Sequence, residues 1–146
     1  MKSKNEFKMT LDGRSSNESF ARVAVAAFVS QLDPTIEELS DIKTAVSEAV
    51  TNCIVHAYKE KIGPIFITVK LFGEGLVRIK IRDKGCGIPD VKKAMEPLYT
   101  TAGGERAGLG FAVMESFMDK IHVHSTVGKG TTVSFRKQLS LRSADD

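Results

Sequence analysis

E-A-V-T-N-C-I-V-H-A runs from Glu48 to Ala57 and carries two patterns at once. Glu48, Asn52 and His56 stand four residues apart. On a helix each step of four advances only about 40° around the axis, so the three form a polar ridge. Beside it, Leu39, Ile42, Val46, Ala49, Val50, Cys53 and Ala57 recur at helical period as an apolar stripe. A carboxylate, an amide oxygen and an imidazole in a row at the edge of a core face can hold a metal ion and move a proton. A solvated helix face has the same spacing, so the ridge takes its meaning from the rest of the chain.

Further along, Leu76 to Asp83 reads L-V-R-I-K-I-R-D. Val77, Ile79 and Ile81 alternate with Arg78, Lys80 and Arg82, as on a half-buried strand. Asp83 is in phase with the apolar set and should point to the core side, where a carboxylate needs a partner. The run Asp83-Lys84-Gly85-Cys86-Gly87-Ile88-Pro89 follows. Gly85 and Gly87 let the backbone turn tightly and let a flat ligand approach the main chain. A third element, Gly108-Leu109-Gly110, opens a helical pattern, and backbone N–H groups at a helix start suit phosphate. The order of these elements is more specific than any one of them.

The remaining chain predicts the elements around this site. Phe7, Met9 and Leu11 alternate as a first strand. Ser16 or Asn17 can cap a helix that turns Phe20, Val23, Ala24, Ala27, Phe28 and Leu32 inward. Asp33-Pro34 ends it, and Thr35-Ile36-Glu37-Glu38 reads as a capping box for the ridge helix. Gly63-Pro64 leads into a strand from Ile65 to Phe72, and Gly73-Glu74-Gly75 is a hairpin turn. Asp90 can cap a short helix through Met95. Glu96 to Ala107 lacks periodicity and reads as a mobile loop. Leu109 to Ile121 reads as a helix burying Val113, Met114, Phe117, Met118 and Ile121. Strands over Ile121–Ser125 and Thr131–Gln138 flank a Val127–Gly130 turn. The expected fold is α+β, a two-layer sandwich with a mixed, mostly antiparallel sheet and helices on one face. The ligand would lie between the helix layer and the strand ends, under the Glu96–Ala107 loop.

Composition sets bounds. A chain of 146 residues, 42% hydrophobic and 27% charged, suits one globular domain over 1–146, with a frayed polar tail at 141–146. A net charge of +3 is too mild to argue for direct nucleic-acid binding. Cys53 and Cys86 have neither metal-ligand spacing nor a disulfide framework, which fits a reducing cytoplasm. No apolar stretch has the length of a membrane span, and the polar N-terminus lacks a signal core.

E-x-x-x-N-x-x-x-H-A, then D-x-G-x-G-I, then G-x-G, then G-T-T resembles the Bergerat-type ATP-binding fold of gyrase-type ATPases, the Hsp90 chaperone, histidine kinases and MutL. Within that superfamily, N-E-S-F-A-R (Asn17 to Arg22), L-D-P-T-I-E-E-L (Leu32 to Leu39), V-S-E-A-V-T-N (Val46 to Asn52), P-L-Y-T-T (Pro97 to Thr101) and E-R-A-G-L-G-F (Glu105 to Phe111) are similar to the anti-sigma F factors of endospore-forming bacteria. Those proteins are also serine kinases. The resemblance covers roughly Phe7 to Leu139. It implies ATP and Mg²⁺ as ligands, a sporulation sigma factor (sigma-F type) as target, an anti-anti-sigma protein as substrate, and a homodimer.

The resemblance also assigns roles. Asn52 would supply one oxygen to Mg²⁺, which takes few protein ligands beside waters and phosphate. Glu48 would draw the proton from the attacking hydroxyl, or orient that hydroxyl without accepting its proton. Asp83 would accept from the exocyclic amine of adenine, with Thr131 or Thr132 completing the network and Gly85 and Gly87 giving the base clearance. Arg106, Gly108, Leu109, Gly110 and Phe111 would meet the phosphates. Thr100 and Thr101 would join the nucleotide contacts. Arg22 would face both protein partners. His56 reads more readily as a packed residue than as a catalyst. The chain departs from the family at Thr101–Glu105, where a Lys-Pro-Glu stretch is usual, so the lid lacks a lysine for phosphate. Three alternatives stand beside this reading. One is a related kinase for a stress-response sigma factor. Another is a module that only gates binding with ATP. The third, a piece of an ATPase machine or sensor kinase, would call for a transducer domain or a dimerisation helix.

Overall fold

The computed structural model describes residues 2–96 and 110–140. Five strands form one sheet: β1 (Asn5–Asp12), β2 (Pro64–Leu71), β3 (Leu76–Asp83), β4 (Lys120–Thr126) and β5 (Gly130–Gln138), in the order β1-β2-β3-β5-β4. The described strands pair antiparallel throughout, so the expected antiparallel sheet forms without the parallel pairing that a mixed sheet would include. The connections explain this. One crossover helix returns a chain parallel, but two helices, α1 (Ser16–Val29) and α2 (Ile36–Thr51), separate β1 from β2. The β2–β3 link is the expected tight turn, with Glu74 at φ 62° and Gly75 at φ 80°.

The strands alternate as their sequences require. Ile65, Ile67, Val69 and Leu71 of β2, Val77, Ile79 and Ile81 of β3, and Val133 and Phe135 of β5 are buried together. Ile42, Ala45, Val46, Ala49 and Val50 of α2 cover them. The capping box forms as read: Glu38 N–H donates to Thr35 Oγ1 at 3.0 Å, and Thr35 N–H donates to Glu38 Oε1 at 2.9 Å. Lys93 N–H likewise donates to Asp90 Oδ1, starting α3 (Val91–Met95).

Two elements differ from the sequence reading. On α1 the buried residues are Ala21, Val25, Ala26 and Val29, whereas Phe20 and Val23 are 55% and 53% exposed. Two stripes of helical period overlap on this helix, and small Ala21 and Val25 lie on the one that packs against α2 and the sheet. Of the residues read as inward, Phe28 and Leu32 do pack against the core, whereas Phe20 and Val23 face water. The start of α1 also differs, because neither Ser16 nor Asn17 caps it. Asn17 Nδ2 instead donates to the Asp12 carbonyl at 2.8 Å, tying the helix start to the end of β1. The last helix, α4 (Phe111–Phe117), is shorter than the 109–121 pattern. Asp119 N–H donates to the Arg136 carbonyl, so the chain is already joining β5, and Ile121 takes its place on β4 beside Phe135.

Candidate functional site

The ridge is regular only over its first step. Asn52 N–H still bonds to the Glu48 carbonyl, one α-turn back. The next turn widens over Asn52–Ala57, and Tyr58 N–H bonds five residues back, to the Cys53 carbonyl at 3.1 Å. The widened π-turn changes the angular step after Asn52, and His56 still lines the same cavity as Asn52. Such single π-turns recur at functional sites.

Asp83 ends β3 facing inward, as its phase requires, and is 6% exposed. Its Oδ1 accepts from Gly85 N–H at 2.9 Å and from Thr131 N–H at 3.2 Å. Burial raises its pKa; these two N–H groups and the Cys53 thiol pull it back down. Cys53 itself stays a neutral thiol, because burial and then the Asp83 charge push its pKa well up. Cys53 was legible only as a member of the apolar stripe. Its contact with Asp83 is a tertiary fact with no local sequence signal.

The two threonines take opposite faces of β5. Thr131 is buried on the Asp83 side, and its Oγ1 shares a hydrogen bond of 2.8 Å with Ser125 Oγ. Thr132, one residue on, takes the opposite face of the strand, opposite Arg82 and His124, and is not part of this cluster. Ser125 Oγ also accepts from Ile88 N–H at 2.8 Å, linking the glycine loop to β4 and β5. Its alternation with Ile121 and Val123 could have flagged Ser125. Tyr58 went unread as well: its hydroxyl donates to the Pro64 carbonyl at 2.5 Å and accepts from Lys84 N–H at 2.7 Å, pinning the strand end that carries Asp83.

The two glycines of the loop sit hard against neighbouring backbone. A Cβ on Gly85 would collide with the Ala57 carbonyl, and one on Gly87, which also has φ +80°, would collide with Thr126 backbone. Their missing side chains let protein backbone pack on protein backbone.

Asn52, His56, Asp83, Gly87, Phe111 and Thr131 line one cavity of about 40 Å³ between the end of α2 and the strand ends. That volume is far below the several hundred Å³ typical of a ligand pocket. Phe111 is 2% exposed and forms wall and core. Glu48, half-buried, packs against Gly110, where a Cβ would run into its carboxylate. The third motif therefore meets the ridge. Thr100, Thr101, Arg106, Gly108 and Leu109 lie outside the described residues, as do the rest of the expected cover after Glu96 and the 141–146 tail.

Asn52 fits a hard cation: its side chain is buried in the cavity lining and offers an amide oxygen, a hard donor. No group of three His, Cys, Asp or Glu side chains gathers among the described residues. An amide oxygen with phosphate and water as co-ligands is the usual manner of Mg²⁺, not of a metal held in an all-protein cage. Away from this site, Arg22 on α1 donates through Nε to Glu18 Oε2 at 3.1 Å, and Ser47 Oγ of α2 closes on the same carboxylate. No helix among the described residues is long and apolar enough to cross a membrane.

Comparison with known proteins agrees with this geometry. Residues 14–137 match the family described as the histidine kinase-like ATPase domain. The chain is 56% identical over 137 residues to the anti-sigma F factor of Thermoanaerobacter sp. (strain X514), covering 92% of this chain and 94% of that protein. It is 50% identical over 142 residues to the anti-sigma F factor of Geobacillus kaustophilus, covering 97% of each. Among solved structures, the RsbU and RsbW domains of a Mycobacterium tuberculosis protein superpose with a TM-score of 0.69 at 21% identity, over 95% of this chain and 33% of that one. The catalytic domain of the histidine kinase ThkA gives 0.56 at 18% identity, over 94% and 99%. At these identities the two structures speak for the fold alone.

Proposed function

Because the chain belongs to the anti-sigma F factor family and carries its histidine kinase-like ATPase domain, we propose that it is an ATP-dependent anti-sigma factor and serine kinase. In this reading it holds a sporulation sigma factor of the sigma-F type inactive in the cytoplasm, acting as a homodimer. It also phosphorylates a serine of an anti-anti-sigma protein. The observation that carries the proposal is the convergence of Asp83, Asn52 and Glu48, from two distant segments, on one small cavity and its rim.

Each side chain has a task there. Asp83, an acceptor held by two backbone N–H groups, reads the exocyclic amine of adenine, and guanine offers a carbonyl at that place. Thr131 and Ser125 keep the carboxylate oriented. Asn52 Oδ1 would hold Mg²⁺, which, when bound, neutralises phosphate charge. Glu48 takes the proton from the serine hydroxyl as its oxygen forms the new bond to the γ-phosphorus and ADP leaves. Phosphoryl transfer rests mainly on such positioning and charge neutralisation. Thr100, Thr101, Arg106 and Gly108–Leu109 would complete the triphosphate contacts.

Asp83→Asn tests the base contact. The amide presents a donor where adenine also donates, so ATP affinity should fall by about 1.5–3 kcal/mol, the range for hydrogen bonds to charged groups. Preference over GTP should narrow with it. Calorimetry that finds wild-type ATP affinity would remove Asp83 from the adenine site.

Arg22→Glu tests the partner surface. Arg22 is paired on the helix, yet its side chain stays 36% exposed, and an exposed pair of this kind is cheap to break. α1 also presents Phe20 and Val23 to water, more apolar surface than a solvated helix needs. Charge reversal should weaken capture of both the sigma factor and the anti-anti-sigma protein, with ATP affinity unchanged. Pull-downs recovering both partners at wild-type levels would place the interface elsewhere. The proposal as a whole is tested by capture of the sigma factor on immobilised protein with and without ATP·Mg. Retention that rises with ATP supports it, and no retention in either condition refutes it.

A further inference from the structure

The helices cover one face of the sheet, and the other face is strongly basic. Across it, Lys70, Arg78, Arg136 and Lys120 stand in register on four neighbouring strands. With strands about 4.8 Å apart, this row of like charges spans roughly 14 Å. Along β3 and just beyond it, Arg78, Lys80, Arg82 and Lys84 occupy successive outward positions, all exposed, over about 20 Å. Among the described residues, Lys70, Arg78, Lys80, Arg82, Lys120 and Arg136 have no carboxylate within ion-pair distance. Glu18, Glu37, Glu38, Asp41 and Glu48 sit in the helical layer, while at the β1 edge of the sheet face Glu6 stands in register with Lys70 and pairs with Lys8. A net charge of +3 therefore conceals a charge separation across the molecule. Like charges directly opposite on a sheet destabilise it, so this face calls for an anion.

We infer that the open sheet face binds single-stranded nucleic acid. Its extent exceeds what one small anion needs. A depression of about 380 Å³ at its centre is lined by Lys70, Arg78, Lys80, Lys120, His122 and Arg136, together with Thr68 and Ser134 and no acidic residue. Hydroxyls set among cations are the mixture that contacts phosphate and sugar. The face also offers stacking planes. The Arg82 guanidinium lies 4.2 Å from the centre of the Phe66 ring, and His122 and His124 are exposed on β4. Rings and guanidinium planes on a sheet hold unstacked bases. Among the described residues no helix protrudes from this face to enter a duplex groove. A membrane would want apolar side chains to insert, and the Phe66 ring is instead covered by Arg82 and Lys84. The site is separate from the nucleotide cavity and does not depend on its assignment.

The test is anisotropy of labelled oligouridine and oligothymidine with the full chain, ATP·Mg being present throughout so that the nucleotide cavity cannot contribute. With about six phosphate contacts, affinity should fall roughly 10²-fold or more between 50 and 200 mM salt. Arg78→Ala/Lys80→Ala/Arg136→Ala should weaken binding at least tenfold. Its log-affinity plot against log salt should be shallower by about two. Cross-linking of 4-thiouridine RNA to the unaltered protein should map to β3, β4 and β5, which keeps the test decisive if the variant folds poorly. The inference is overturned if neither oligonucleotide binds at 50 mM salt, or if cross-links map elsewhere. It also fails if a folded triple variant binds like wild type. Equal binding to polyglutamate or to phosphatidylserine vesicles overturns it as well, in favour of an acidic protein or a membrane.

Discussion

Glu48→Gln should lower phosphorylation of the anti-anti-sigma protein by roughly 10²–10⁴-fold, the usual worth of a positioned general base. Glutamine keeps the length of the side chain and its ability to accept hydrogen bonds, but at neutral pH it takes no proton. Glu48 is half-buried against Gly110, so its shape matters to packing, and a glutamine retains that shape. ATP binding and sigma-factor capture should therefore persist in the variant. Single-turnover assays at saturating ATP separate the two roles considered for this residue. A large loss assigns proton transfer to the carboxylate. Near-normal turnover leaves Glu48 only the orientation of the nucleophile.

Asn52→Ala should abolish Mg²⁺-supported ATP binding or phosphoryl transfer. The described residues offer no cluster of acidic or imidazole ligands to take over, and a metal that draws on one protein oxygen loses its only anchor with it. The substitution leaves the helix intact, because alanine is the best helix former and Asn52 sits where α2 passes into its widened turn. Circular dichroism should show wild-type helix content. A variant that needs the same Mg²⁺ concentration as wild type for ATP binding means that the ligand is another group.

Much of this site could be read from the chain because its parts have local signals. The phase of Asp83 on β3 follows from alternation alone, and burial of that carboxylate followed from it. The capping box fixed the start of α2, and so the phase of Glu48 and Asn52. What escaped depends on contacts between distant segments. The widening of the helix after Asn52 is one such feature, because nothing in N-C-I-V-H-A distinguishes an α-turn from a π-turn. Phe20 and Val23 were taken as inward because bulk is a poor guide where two periodic stripes compete. The close approach of Gly85 to Ala57 and of Gly87 to Thr126 is likewise a contact between distant segments, with no local signal. The basic sheet face was invisible in a sum of charges, since it emerges only when β5 inserts between β3 and β4 and brings Arg136 beside Arg78.

The central claim is that this cavity serves transfer of phosphate from ATP to a protein serine. The most direct measurement is the intact mass of the anti-anti-sigma protein after incubation with the chain, ATP and Mg²⁺, followed by fragmentation to place any modification. The account predicts one added phosphoryl group, on a serine, appearing only when ATP, Mg²⁺ and an intact Glu48 are all present. An unmodified substrate, with ATP binding demonstrated in the same sample, would contradict it.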